Sequence, residues 1–291
     1  MTDLFDTHAH LHFPDFADDL VAVLDRAREA GVAAMLTIGT DVETSRAAIA
    51  LAARERDVWA AVGVHPHDAA SADVEVLDEI ERLAASPRVV AVGEIGLDYF
   101  RNLSPRDEQL RVFEHLLGVA SRVEKPVIIH CREPGGGPAG ARTNAPPGRA
   151  SGVPTNDDAP VAHVDVLHLL RAARVGDVGG VMHCFSGDVG IARQCLDLGL
   201  HISIAGRVTY PSSRALPEVA RFVPDDRIVV ETDCPFLPPQ THRGKRNEPA
   251  YVAITAARVA ELRGRPFDEM AARMSVNARA LFRLDSSATR E

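Results

Sequence analysis

A chain of 291 residues, 46% hydrophobic and 25% charged, can bury one full core, and an α/β barrel of about 250 residues fits as a single domain. No apolar run approaches the ~20 residues of a membrane span, the first residues carry no signal-like segment, and four cysteines without a C-x-x-C pair form neither a disulfide framework nor a zinc knuckle, so a cytoplasmic protein with no membrane partner is expected. The net charge of −9 argues against a broad basic face for duplex nucleic acid, though not against an enzyme that grips a strand end with the help of bound divalent cations.

Short apolar, β-branched runs alternate with longer amphipathic stretches. The former predict strands over 4–7, 33–38, 58–64, 89–94, 127–130, 180–183, 201–204 and 228–231. The latter predict helices over 15–30, 42–56, 73–85, 105–123, 163–174, 190–198, 213–222 and 249–263, with apolar residues at helical spacing as in Leu110, Phe113 and Leu117. Ser104 before Pro105, with Asp107 and Glu108 in the first turn, is a helix start. Strands alternating with helices imply a parallel sheet, and eight repeats fit a closed (β/α)8 TIM barrel better than an open doubly wound sheet. No G-x-G-x-x-G opens a helix after the first strand, so the dinucleotide-binding alternative loses its main signature. A last helix over 266–283 is expected outside the barrel, the tail 285–291 is expected to fray, and residues 1–291 read as one domain. The rhythm breaks at 134–160, rich in Pro, Gly, Ala, Ser and Asn, which lacks the apolar surface to offset its ordering entropy. This insert reads as a mobile loop, or alternatively as a lid, on the face where βα loops emerge.

Histidines and carboxylates fall at the predicted strand ends. Asp6-Thr7-His8-Ala9-His10 ends the first strand, and in an extended chain residues i and i+2 project to the same side, so His8 and His10 can bind one cation. Glu94 ends the fourth strand, His130 the fifth and His183 the sixth, and Asp233 comes at the end of the eighth. The carboxyl ends of parallel barrel strands converge on one mouth. Four imidazoles and two carboxylates there could hold two divalent cations with a carboxylate bridging them. The only lysines, Lys125 and Lys245, end no barrel strand, so a carboxylated lysine is not the bridge and Glu94 is the candidate. Cys131, Cys184 and Cys234 each follow a proposed ligand directly, and alternation would turn them toward the helices as packing groups.

In combination these motifs resemble the TatD family of metal-dependent deoxyribonucleases, in the amidohydrolase-type barrel superfamily. The matching stretches are Asp6-Thr7-His8-Ala9-His10, Gly63-Val64-His65-Pro66-His67, Gly93-Glu94-Ile95-Gly96-Leu97-Asp98-Tyr99, Ile129-His130-Cys131-Arg132, His183-Cys184-Phe185-Ser186-Gly187, Glu231-Thr232-Asp233-Cys234-Pro235 and Arg246-Asn247-Glu248-Pro249, in family order over nearly the whole chain. The resemblance implies that His8, His10, Glu94 and Asp233 hold one ion and that Glu94 bridges to a second held by His130 and His183. It further implies Mg²⁺, Mn²⁺ or Zn²⁺ as the ions, and phosphodiester hydrolysis of DNA, commonly from the 3′ end of single strands. The insert at 134–160 is longer than the family's usual connection, which leaves substrate access and preference open.

Asp233 is expected to bind metal and to orient or deprotonate the attacking water, with Glu94 fixing the spacing of the ions. His65, after the third strand, would donate to a phosphate oxygen or act as an acid, or else hold the backbone of its Pro-bearing turn. Arg132 would fork onto a phosphate or pair with Glu133 or another carboxylate. Arg243, Lys245 and Arg246 make a basic cluster, either for phosphate-backbone contact or merely solvated, and Arg207 is a lesser candidate of the same kind. Tyr99 and Phe100 would stack on a base or pack in the core. His12 reads as a neighbour of the ligands and His115, His168 and His201 as packing or surface residues, while for His163, which follows the insert, metal binding is a minority reading. The competing activity is hydrolysis of D-aminoacyl-tRNA, or of another ester or amide, because it needs the same activated water and oxyanion stabilisation. The complete ligand set argues against a non-catalytic binding barrel. A monomer is expected.

Overall fold

A computed structural model describes residues 3–134 and 161–284; the loop-or-lid reading of the insert past residue 134, and the fraying expected of the tail, fall outside the described residues. Among these, eight strands form one parallel sheet in sequential order: β1 (Leu4–Ala9), β2 (Val32–Ile38), β3 (Val58–Val62), β4 (Val89–Asp98), β5 (Val127–Arg132), β6 (Gly180–Met182), β7 (His201–Ile204) and β8 (Ile228–Val230). The sheet closes on itself through the chain just after β8. Asp233 N donates to His8 O at 2.8 Å and His10 N to Cys234 O at 2.8 Å, a parallel bridge between Ala9 and Cys234. The result is the expected (β/α)8 TIM barrel.

Helices α1 (Leu20–Glu29), α2 (Val42–Arg54), α3 (Val74–Ala84), α4 (Arg106–Arg122), α5 (Ala162–Ala172), α6 (Val189–Asp197), α7 (Ala215–Phe222) and α8 (Val252–Arg263) follow the strands in turn, and α9 (Phe267–Leu281) ends the fold. Among the described residues no helix is long and apolar enough to cross a membrane. Asp41, Asp73 and Asp188 each accept a backbone N–H at the start of α2, α3 and α6, satisfying donors the helix leaves open. Two starts differ from expectation. Residues 15–19 do not join α1; Pro14–Phe16 form a short 3₁₀ turn that buries Phe16 completely. Ser104 does not cap α4; its hydroxyl donates to His67 O at 2.7 Å and accepts from Ala70 N at 3.0 Å, tying two βα loops together.

Side-chain alternation sorts the core into two layers. Met35 belongs to one layer with Leu4, Val62 and Ile129 and with helix residues such as Leu51, Leu77 and Phe113, between barrel and helices. Its neighbours Ala34, Leu36 and Ile38 instead join Phe5, Ala61, Ala91, Ile128, Val181 and Val229, one face from nearly every strand, as filling a closed barrel requires. Ala278, Leu281 and Phe282 share that second cluster, with the Phe282 ring 5.9 Å from Phe5. The last helix thus does more than lie outside: its end plugs the barrel opposite the mouth.

Candidate metal centre

His8 and His10 leave the end of β1 with their Nε2 atoms 3.3 Å apart. His10 Nδ1 lies 2.9 Å from Ile38 O. A carbonyl only accepts, so Nδ1 carries the proton and Nε2 keeps its lone pair for the centre. Asp6, fully buried, stitches β1 to the segment after β8 by accepting from Thr232 N at 2.9 Å and Thr232 Oγ1 at 2.6 Å. That stitch brings Asp233 Oδ1 to 3.8 Å from His8 Nε2 and 3.6 Å from His10 Nε2.

Glu94 stands at the middle. β4 runs on to Asp98, so Glu94 is not a strand end but a residue inside a long strand whose pairing with β5 shifts register between Val92 and Ile95. Its Oε2 faces His8 Nε2 at 3.4 Å and His10 Nε2 at 3.9 Å. Its Oε1 faces His130 Nδ1 at 2.7 Å, His183 Nε2 at 2.9 Å and His65 Nε2 at 3.6 Å. Burial opposes the charge, yet the His183 and His65 imidazoles and the bonds from His130 and His183 hold the carboxyl well below its ordinary range. Donor atoms of three sets lie within 4.8 Å of one another: His8, His10 and Asp233; His8, Glu94 and His183; His65, Glu94 and His130. Imidazole and carboxylate donors suit a borderline or hard divalent cation, and Glu94, with one oxygen toward each half, has the geometry of a bridge.

His65 differs from the other imidazoles. Its Nδ1 accepts the backbone N–H of His67 at 3.1 Å, so in the neutral ring the proton sits on Nε2. Nε2 then points at the centre as a donor, which suits an oxygen rather than a cation.

The mouth is a cavity of about 110 Å³ bordered by His130, Arg132, His183, Cys184, Arg207 and Asp233 among others. Arg132 stacks over the half-exposed Phe100 at 4.1 Å. The alternative partner Glu133 is taken: it accepts from the N–H groups of Ala162 and His163 at 3.1 and 2.8 Å and meets His163 Nδ1 at 2.6 Å, joining the two flanks of the insert. His163 is therefore a packing residue bound to Glu133, away from the three donor sets. Arg243 lies over Tyr210 at 5.1 Å. The guanidinium of Arg246 bonds Asp19 twice, at 2.8 and 2.7 Å, and stacks over Phe16 at 4.7 Å, bracing the segment before α1. Tyr99 packs in the core and donates to Asp165 at 2.6 Å. His12 Nδ1 pairs with Thr37 Oγ1 at 2.9 Å beside His10. Cys131 and Cys234 are buried in the core as expected, although Cys131 also borders the cavity, whereas Cys184 is only part-buried there: β6 ends at Met182 and Cys184 takes a positive φ of 42°.

Sequence reasoning assigned no role to Glu231, Asp98 and His67, which stand behind the candidate ligands and His65. Glu231 meets His183 Nδ1 at 3.1 Å and accepts from Cys184 N at 2.6 Å and Ser203 Oγ at 2.6 Å. Asp98 faces both His130 Nε2 at 3.1 Å and His67 Nε2 at 3.0 Å. All three sit in the stretches quoted above, two to four residues from a ligand candidate or from His65, which is the only signal that marked them.

The family described as "TatD related DNase" matches residues 5–283. An uncharacterized metal-dependent hydrolase of Bacillus subtilis, YabD, is 37% identical over 282 residues, covering 97% of this chain and 100% of that protein. A 3′-5′ ssDNA/RNA exonuclease TatD of Erwinia amylovora is 36% identical over 287 residues, covering 97% and 100%. Among solved structures, the TatD homologue YJJV of Escherichia coli K12 superposes with a TM-score of 0.82 at 30% identity, covering 97% of this chain and 98% of that one.

Proposed function

The chain belongs to the TatD-related DNase family of metal-dependent, nuclease-type hydrolases, and from that premise we propose that it removes nucleotides from the 3′ end of single-stranded DNA. The observation that carries this reading is the division of Glu94, with Oε2 toward His8 and His10 and Oε1 toward His130 and His183. Two ions would fit it: His8, His10, Glu94 and Asp233 would hold one, and Glu94, His130 and His183 the other. Bound Mg²⁺, Mn²⁺ or Zn²⁺ would supply Lewis acidity, lower the pKa of a water and offset phosphate charge.

The protein's own groups supply the rest. Asp233, at the cavity, would orient the attacking water and accept its proton. His65 would donate from Nε2 to a phosphate oxygen as negative charge grows there. Arg132 and Arg207, bordering the same cavity, would fix the phosphate, and Arg243 would meet the backbone further out. Phe100, 45% exposed beneath Arg132, and Phe236, 50% exposed and 6.0 Å from the His10 ring, offer apolar faces for unstacked bases on two sides of the mouth. A duplex does not present such bases, which favours single strands. Turnover of an unlabelled single-stranded oligonucleotide against turnover of D-aminoacyl-tRNA tests the substrate class. Nucleotide release that exceeds deacylation is expected; efficient deacylation with no nucleotide release would replace phosphodiester by ester cleavage.

A further inference from the structure

We infer that a strand crosses the mouth in one sense, with its 3′-terminal base in the corner between Phe236 and Phe13 and the preceding base on Phe100 beneath Arg132. The inference rests on the reading of this site as a nuclease that shortens strands from the 3′ end.

The two aromatic faces belong to opposite halves of the centre. Phe236 N donates to Asp233 O at 2.9 Å, and Phe236 O accepts from the Asn247 amide at 2.6 Å, so this ring is fixed beside Asp233. Phe100 N donates to Asp98 Oδ1 at 3.0 Å, and Asp98 Oδ2 faces His130 Nε2 at 3.1 Å, so that ring is fixed beside His130. Asp233 stands with His8 and His10, toward which Glu94 turns Oε2. His130 and His65 stand where Glu94 turns Oε1.

The faces also differ in shape. Phe13 lies flat on the His10 ring, with centroids 4.6 Å apart and planes at 22°. Phe236 stands across both, at 67° to His10 and 77° to Phe13. Rings that meet at such angles wall a corner, which suits the last base of a strand better than a chain that must continue past it. Phe100 is partnered by a cation instead: the Arg132 guanidinium lies 4.1 Å from its centroid and borders the cavity. That pairing suits an internal nucleotide, with its base on the ring and its phosphate on the arginine.

In-line displacement links this order to the bond that breaks. A water oriented by Asp233 reaches phosphorus from the Phe236 side, so the leaving oxygen points toward the Phe100 side. With the preceding nucleoside there, that oxygen is its O3′. The water's oxygen bonds to phosphorus and its proton passes to Asp233, which returns it to solvent. The P–O3′ bond breaks, and O3′ takes up a solvent proton. The products are a 5′-mononucleotide and a strand that again ends in a 3′-hydroxyl.

The test is single-turnover cleavage of strands with one abasic residue at the 3′-terminal, second or third position, by wild type, Phe236→Ala and Phe100→Ala. For wild type, losing either of the two end bases should raise the half-saturating concentration about 10-fold, the value of one stacked base; losing the third should not change it. Phe236→Ala should abolish the sensitivity to the terminal base alone, and Phe100→Ala the sensitivity to the second alone. Exchanged sensitivities, or release of a nucleoside that leaves a 3′-phosphate on the strand, would overturn the order. Full additivity of variant and abasic effects would show that neither ring holds a base. No cleavage by metal-loaded wild type would remove the nuclease reading, and this inference with it. A 3′-terminal 2-aminopurine gives a readout that precedes turnover: on rapid mixing, wild type and Phe100→Ala should quench its fluorescence and Phe236→Ala should not. Equal quenching by all three would contradict the corner.

Discussion

Glu94 touches both halves of the centre, so Glu94→Gln, which keeps the shape and removes the charge, should abolish binding of one ion and lower hydrolysis. The loss should be at least about 100-fold, since partners one layer out from a metal already cost 10–100-fold; near-normal binding stoichiometry and turnover would remove the bridge. Arginines divide more sharply than their spacing suggests. Arg132 borders the cavity, and Arg132→Ala should raise KM for DNA by about 10- to 100-fold, the value of a charge-assisted bond. Arg246→Ala should leave KM unchanged, because its partner is Asp19. Most ligand candidates were legible because polar residues at strand ends converge in any parallel barrel, whereas Glu94 lies inside β4. The pairing of Arg246 with Asp19 was not legible, since the two lie 227 positions apart in the chain and only the folded structure brings them together. Asp98 and Glu231 were hidden for a related reason: a second carboxylate near a ligand in sequence does not say which ring nitrogen it will meet.

At the scale of elements, strand and helix order was legible, while ends were decided by tertiary contacts. β4 continues past Glu94 because Ile95 to Asp98 pair with Ile129 to Arg132 of β5, and that extension delivers Asp98. The segment after β8 is short of regular structure and is held by side chains. Asn247, fully buried, donates to Thr232 O at 2.8 Å and Phe236 O at 2.6 Å, on either side of Asp233. Asn247→Ala leaves two carbonyls unpaired and should cost about 1–3 kcal/mol for each that water cannot reach. Chemical denaturation would read that loss, and KM for DNA should rise with it as Asp233 and Phe236 lose their support. Unchanged stability and unchanged KM would mean that the segment is held by other contacts.

For the whole molecule, the barrel followed from eight alternating units, but its closure depends on the Asp6–Thr232 stitch and its plug on the end of α9, neither of which carries a periodic signature. Stability should also carry an acid limb from a residue far from the metal centre. Burial and the nearby Arg227 push His201, at the start of β7, down to about 4 from an ordinary 6.5. Above pH 6.5 the ring is neutral in folded and unfolded chains and contributes nothing to the pH dependence. Between pH 6.5 and 4 the unfolded chain takes up a proton that the folded one refuses, so stability falls as pH falls, by at most about 1.4 kcal/mol per unit from this group. His201→Gln should flatten the Tm profile over that window relative to wild type; parallel profiles would show that His201 does not titrate as described.

The most direct measurement follows single-stranded DNA labelled at its 3′ or its 5′ end over time, with Mg²⁺, Mn²⁺ or Zn²⁺ and with EDTA, for wild type and Asp233→Asn. Early release of the 3′ label, abolished by EDTA and by the substitution, is the predicted result. Shortening that persists in EDTA or in Asp233→Asn, or no shortening by protein that has bound two ions, would contradict the account.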